Sequence, residues 1–206
     1  LSAGIKTYNG AIGVDLDTVA VKTMLEMAEE RGMATGLVAT STITHATPAS
    51  FAAHVDYRKK EGEIAIQYAE QEIDVILGGG KKFWPDSLIS EYVKRGAQFI
   101  DNIHSPLNDD KRLLGLFSEQ ALPPVYKGRS PTTTEMAKLT ISRLEKNING
   151  FFVMIEESQV DWGGHSNNAK YIQGEMASLN ELINYSLDYQ EAHPDVLVVL
   201  TADHEC

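Results

Sequence analysis

The chain is poor in cysteine. A single one, Cys206, stands at the last position, so no disulfide can close within the chain and cysteine usage does not fix the redox compartment. Long apolar runs are missing as well. None approaches the ~18–20 residues that a bilayer-spanning helix needs, and no basic segment followed by an apolar stretch marks a leader peptide. Positive charge is scarce: 18 Lys and Arg against 29 Asp and Glu leave a formal charge of −11. That argues against a nucleic-acid partner, whose binding faces are basic. An anionic small molecule stays open, because bound metal ions reverse the local field. There is no internal repeat and no low-complexity tract.

What remains is an ordinary globular composition. The 206 residues are 43% apolar and 23% charged, enough to bury one sizeable core. The chain starts at Leu1 rather than Met, and Asp203-His204-Glu205-Cys206 directly follows a strand-like run. The expectation is a single domain over 1–206, incomplete at both ends. Such a piece should fold poorly alone, because a cut sheet exposes edges and apolar surface.

Hydrophobic periodicity alternates between helix and strand. Helical spacing covers 19–30, with Gly32 ending it. Further helices are predicted over 64–72, 88–95, 132–146 and 169–192, the last stopped by Pro194. Short, nearly continuous apolar runs at 33–39, 73–77, 113–117, 151–155 and 196–200 read as buried strands, with a weaker one at 96–100. Segments 40–48 and 156–165 read as loops, and 101–130 is the least regular stretch. Strands of this kind between helices predict a three-layer α/β/α domain with a largely parallel central sheet.

In open sheets of that type ligands bind at the carboxyl ends of the strands. Three apolar runs end in polar clusters: 41–48, 156–165 and 201–205. Three clusters on one sheet edge point to one site. Asp161 and His165 are four apart, and Asp203 and His204 are adjacent. Mixed imidazole and carboxylate donors suit zinc. The carboxylate of Glu156 with the hydroxyl of Thr47 suits the harder magnesium ion. No thiolate is among these donors, which excludes a closed Cys-type structural zinc site. Gly78-Gly79-Gly80 lacks the Lys-Ser/Thr of a phosphate loop and reads as a turn. His54, His104 and His193 fall in no pattern and read as structural.

The order of these motifs resembles the alkaline phosphatase family. The resemblance rests on Thr44-His45-Ala46-Thr47-Pro48-Ala49 with Arg58 ten residues past Pro48, and on Glu156-x4-Asp161-x3-His165. It also rests on Thr201-Ala202-Asp203-His204-Glu205, on the run from Gly4 to Gly10, and on the run from Asp74 to Gly80. It implies an alkaline phosphatase-like fold and hydrolysis of phosphate monoesters through a phosphoserine intermediate at a site of two zinc ions and one magnesium.

By the same resemblance Asp161 and His165 belong to one zinc, and Asp203 and His204 to the other. Thr47 and Glu156 belong to the magnesium. Arg58 is the catalytic arginine that grips the phosphate, with His45 and Trp162 beside the substrate. The family carries Asp or His at the position of His45, Lys or His at that of Trp162, and commonly Gly at that of Glu157. Its nucleophilic serine, in an Asp-Ser motif, lies ahead of the segment matching Leu1, and one further protein ligand of each metal also lies outside the matched motifs. The resemblance further implies a periplasmic or secreted homodimer with small phosphate monoesters as substrates. A phosphodiesterase of the same superfamily, or a non-catalytic metal-binding remnant, is the alternative.

Overall fold

The computed structural model describes residues 1–205. Five strands form one sheet: β1 (Ala34–Thr42), β2 (Val75–Gly79), β3 (Ala97–Ile100), β4 (Arg112–Leu116) and β5 (Phe151–Glu156). Their order is β3-β4-β2-β1-β5, and every pairing is parallel. Residues alternate between the two faces, as strand geometry requires. Leu37, Ala39, Ile76 and Leu114 enter one core, with α1 (Met24–Glu29), α2 (Ala46–Ala52), α3 (Glu61–Glu70) and α4 (Asp86–Lys94) around it. Val38, Val75, Leu77 and Leu113 enter the other, against Met136 and Leu144 of α5 (Thr133–Leu144). Helix α6 (Gln159–His165) and the 24-residue α7 (Ala169–Ala192) follow β5, with α7 packed on α5. This is the expected three-layer fold.

Four local readings change. Helix α1 spans only Met24–Glu29, not 19–30. Thr18 has a positive φ and Val14 pairs with Ala20, so the chain is still turning there. The helix starts where Thr23 and Glu26 form a reciprocal capping box. Strand β1 runs on to Thr42, into the stretch read as a loop. Its last hydroxyls are buried but bonded: Ser158 sits against Thr40 and Ser41, and Glu61 accepts from Thr42.

Segment 156–165 holds a helix rather than a loop. Gly163 is there for space, because a Cβ would lie 3.0 Å from Ile172 of α7. Finally, 196–200 pairs with no described strand, and Leu197, Val199 and Leu200 are 83%, 74% and 65% exposed. Strand β5 is the edge of the sheet on that side, half-buried along its whole length. An aliphatic run forms a strand only against a backbone partner, and none of the described residues supplies one.

Candidate active site

The carboxyl ends of β1 and β5 are adjacent, with Ala39 opposite Glu156 in register. From β1 the chain turns directly into α2, whose N-cap is His45, so Thr47 stands in its first turn beside Pro48. Glu61, in the first turn of α3, fixes this turn. It accepts from the hydroxyls of Thr42 at 2.5 Å and Thr44 at 2.7 Å. Arg58 reaches back from the stretch between α2 and α3, and its Nη2 donates to His45 Nε2 at 3.3 Å. That bond makes Nε2 an acceptor and puts the ring proton on Nδ1. Nδ1 is buried and has no hydrogen-bond partner.

Burial pushes the His45 pKa down, and Arg58 adds to this, while Glu156, Glu61 and Asp161 oppose it. The ring is therefore held neutral at neutral pH. Arg58 itself is exposed.

From β5 the chain passes through Glu156, Glu157 and Ser158 into α6. The Ser158 hydroxyl donates to Glu156 Oε2 at 2.7 Å, and the Ser158 amide donates to Thr40 Oγ1 at 3.0 Å. Gln159 is fully buried: its amide nitrogen donates to the carbonyls of Thr40 and Leu122, and its oxygen accepts from Tyr171. These bonds pin α6 beneath the site. One turn of α6 then places His165 Nε2 at 3.2 Å from Asp161 Oδ1. Between them, Trp162 lies edge-on to the ring of His45, centroids 6.0 Å apart.

The third cluster arrives from 201–205. His204 Nε2 lies 3.8 Å from the same Asp161 Oδ1 and 3.7 Å from Asp203 Oδ2. Its Nδ1 faces the carbonyl of Glu205 at 2.7 Å, and this contact, with Asp203 and Asp161, raises the His204 pKa. Asp203 and His204 are far more exposed than the β1 and β5 contributions.

The fold thus joins His45, Arg58 and Trp162 in one chain of contacts, and Asp161, His165, Asp203 and His204 in another. Trp162 and Asp161, neighbours on α6, connect the two. Glu156 acts electrostatically on His45. Among the described residues no three His, Cys, Asp or Glu side chains are gathered tightly enough to cage an ion. The donor chemistry still fits the implied metals: imidazole nitrogens face a carboxylate around Asp161, and hard oxygens stand at Glu156 and Thr47.

Glu61, Ser158 and Gln159 were not singled out in the sequence. Their role lies in contacts across 17 to 119 positions, and no local pattern signals those. The glycine triplet is filled from outside: a Cβ on Gly79 would lie 2.2 Å from the Gln120 carbonyl, and the Gly80 amide is already bonded to Ser118 and Gln120. The turn expected over all three glycines is confined to Gly80, with φ 97°, because Gly78 and Gly79 are the last residues of β2. His54 is also structural, with one ring nitrogen facing Gly13 O and the other Glu26.

Behind the site is a second polar cluster. Arg129 donates to Glu157 and to Glu175, and all three side chains are 2% exposed or less. Burial lifts the Glu157 pKa to about 7, with Arg129 opposing and Glu175 adding to the rise.

Comparison with known proteins places the chain in a family. The family model described as alkaline phosphatase matches residues 1–206. Alkaline phosphatase 3 of Bacillus subtilis is 43% identical over 99% of this chain and 47% of its own length. The structure of the alkaline phosphatase from the Antarctic bacterium TAB5 superposes with a TM-score of 0.86 at 37% identity, covering 93% of this chain and 58% of that one. A TAB5 variant with a histidine replaced by aspartate, described as having Mg bound in the M3 site, superposes with a TM-score of 0.87 at 36% identity and covers the same shares. This chain spans about half the length of the relatives it matches. With that family model matched along all 206 residues of this chain and a relative 43% identical over nearly all of it, the chain belongs to the alkaline phosphatase family.

Proposed function

We propose that the full-length protein containing this chain hydrolyses phosphate monoesters. The observation that carries the reading is the meeting at Asp161 of His165 from α6 and His204 from beyond α7, linked through Trp162 and His45 to the exposed Arg58. Asp161 with His165 would hold one zinc, Asp203 with His204 a second, and Glu156 with Thr47 a magnesium. When bound, these ions supply Lewis-acid neutralisation of phosphate charge and lower the pKa of a coordinated hydroxyl or water.

The chain's own residues bind and orient the substrate. The Arg58 fork donates two parallel hydrogen bonds to phosphate oxygens, and a terminal phosphate offers more charged oxygens to it than a diester. Neutral His45 and Trp162 wall the pocket without adding charge. In the reaction a serine oxygen forms a bond to phosphorus as the ester oxygen leaves. Water then breaks the serine–phosphorus bond and releases phosphate. The chain's one Asp-Ser pair, Asp86-Ser87, opens α4 and is not at the position the resemblance gives for that serine. These 206 residues alone would therefore bind metal without turnover, as one domain completed by further chain. Homodimerisation and a periplasmic or secreted location belong to the same proposal. Among the described residues no helix is long and apolar enough to cross a membrane.

The test is hydrolysis of p-nitrophenyl phosphate by the full-length protein. Turnover at alkaline pH, abolished by a chelator and restored by zinc plus magnesium, is the expected result. Metal-replete protein that prefers bis-p-nitrophenyl phosphate would replace the reading with a diesterase. Protein that binds metal and cleaves neither compound would make it a non-catalytic relative.

A further inference from the structure

Glu157 stands where the family commonly has glycine, and the structure gives it an occupation. At the end of β5 successive side chains point to opposite faces. Glu156 faces the site, where Ser158 donates to it at 2.7 Å. Glu157 faces the α5–α7 side, where both its oxygens are held: one by Arg129, the other by the hydroxyls of Thr133 and Ser178. Arg129 is itself fixed by the Pro123 carbonyl through Nε and by Glu175 through Nη2, and Glu175 also accepts from the Val125 amide. The cluster ties the β5–α6 junction to α5, to α7 and to the stretch before α5. All three charged members are buried, 2% exposed or less.

We propose that Glu157 is a positioning residue. By mooring the backbone between Glu156 and α6 to Arg129, Thr133 and Ser178, it holds the Glu156 carboxylate in place to bind magnesium. This rests on the metal reading above. Without the mooring, the junction is held from the other face only, by Ser158 and Gln159. Partners behind a metal ligand typically govern about 10–100-fold in affinity.

The test is isothermal titration of Mg²⁺ into the full-length, zinc-loaded protein, with thermal unfolding measured alongside. Glu157→Ala is expected to bind Mg²⁺ about tenfold more weakly. Glu157→Gln should stay within about twofold of the parent, because its amide oxygen still accepts from Arg129 and its NH₂ can donate to the two hydroxyls. Leu182→Ala, which removes a buried apolar side chain from α7, should lower the melting temperature and leave Mg²⁺ affinity unchanged. If Glu157→Ala does not fold, Thr133→Val removes one hydroxyl donor and should weaken Mg²⁺ about threefold. Unchanged affinity in folded Glu157→Ala, or in Thr133→Val where the alanine variant does not fold, overturns the proposal, as does an equal loss in Leu182→Ala. If the parent itself takes up no Mg²⁺, the metal reading fails, and this inference fails with it.

Discussion

The two sides of the sheet differ in completeness. On the β1–β2–β4 side every strand residue from Ala34 to Thr42 and from Val75 to Gly79 is buried, and helices cover both faces. On the β5 side the edge strand is only half-buried, and the aliphatic segment beyond α7 lies in solvent. The site straddles this divide. His45, Thr47, Arg58 and Glu61 come from the closed side, where turns and hydrogen bonds fix them before any ligand binds. Asp203 and His204 come from the open side and are tied to the rest of the site through Asp161. Preorganisation among the described residues is therefore one-sided: the half assigned above to phosphate is held by turns and hydrogen bonds, and Asp203 and His204, assigned above to one zinc, are the more exposed half.

Asp161 joins the halves, so breaking it gives the largest expected effect. In the full-length protein Asp161→Ala should lower kcat/KM by on the order of 10³-fold, because both His165 and His204 lose the carboxylate they face. Steady-state hydrolysis of p-nitrophenyl phosphate with saturating zinc checks this. Loss of less than tenfold would mean that the two histidines do not act through Asp161.

The comparison sharpens with a pair of leucines. Leu37 is fully buried at the centre of β1, and Leu197 is 83% exposed. In the 206-residue chain Leu37→Ala should cost about 2–5 kcal/mol in urea unfolding. Leu197→Ala should stay within about 0.5 kcal/mol. Repeating the second measurement on the full-length protein decides what the open side is for. A cost there of about 2 kcal/mol or more would show that the rest of the protein covers Leu197. A negligible cost in both forms would make the segment a true surface run, and the one-sidedness a property of the whole protein.

Much of this was legible in the sequence, and the failures follow the same divide. Helix α7 was bounded correctly at both ends, because Asn168 caps it and Pro194 stops it. Helix α5 begins at a Thr132–Glu135 capping box. The first two polar clusters were legible because the parallel strands β1 and β5 deliver them at one edge, whereas 201–205 follows no strand among the described residues. The 196–200 run was read as a strand on its composition alone, but a strand also needs a neighbour. Helix α6 was missed because Gly163-Gly164 resembles loop sequence, whereas Gly163 serves the close approach of α7. Glu61, Gln159 and Arg129 carry no local signal, since each acts through partners distant in the chain.

The smallest effect concerns His45 and the closed side alone. Burial holds its folded pKa below the ordinary value of 6.5. Where that is so, the unfolded chain binds the proton more readily than the fold, and stability rises with pH. The stability this neutral ring contributes is thus present above about 6.5 and lost progressively as pH falls from there toward the depressed folded value. Carboxylates elsewhere also titrate on acidification, so the readout is a difference. Metal-free protein and its His45→Asn variant are melted at pH 8 and again at pH 5. The parent should lose more melting temperature than the variant between the two. Glu156, Glu61 and Asp161 all favour the charged ring and Arg58 disfavours it. Equal losses in parent and variant would mean that these carboxylates cancel the effect of burial. The closed side would then lack the neutral wall proposed above for the phosphate pocket.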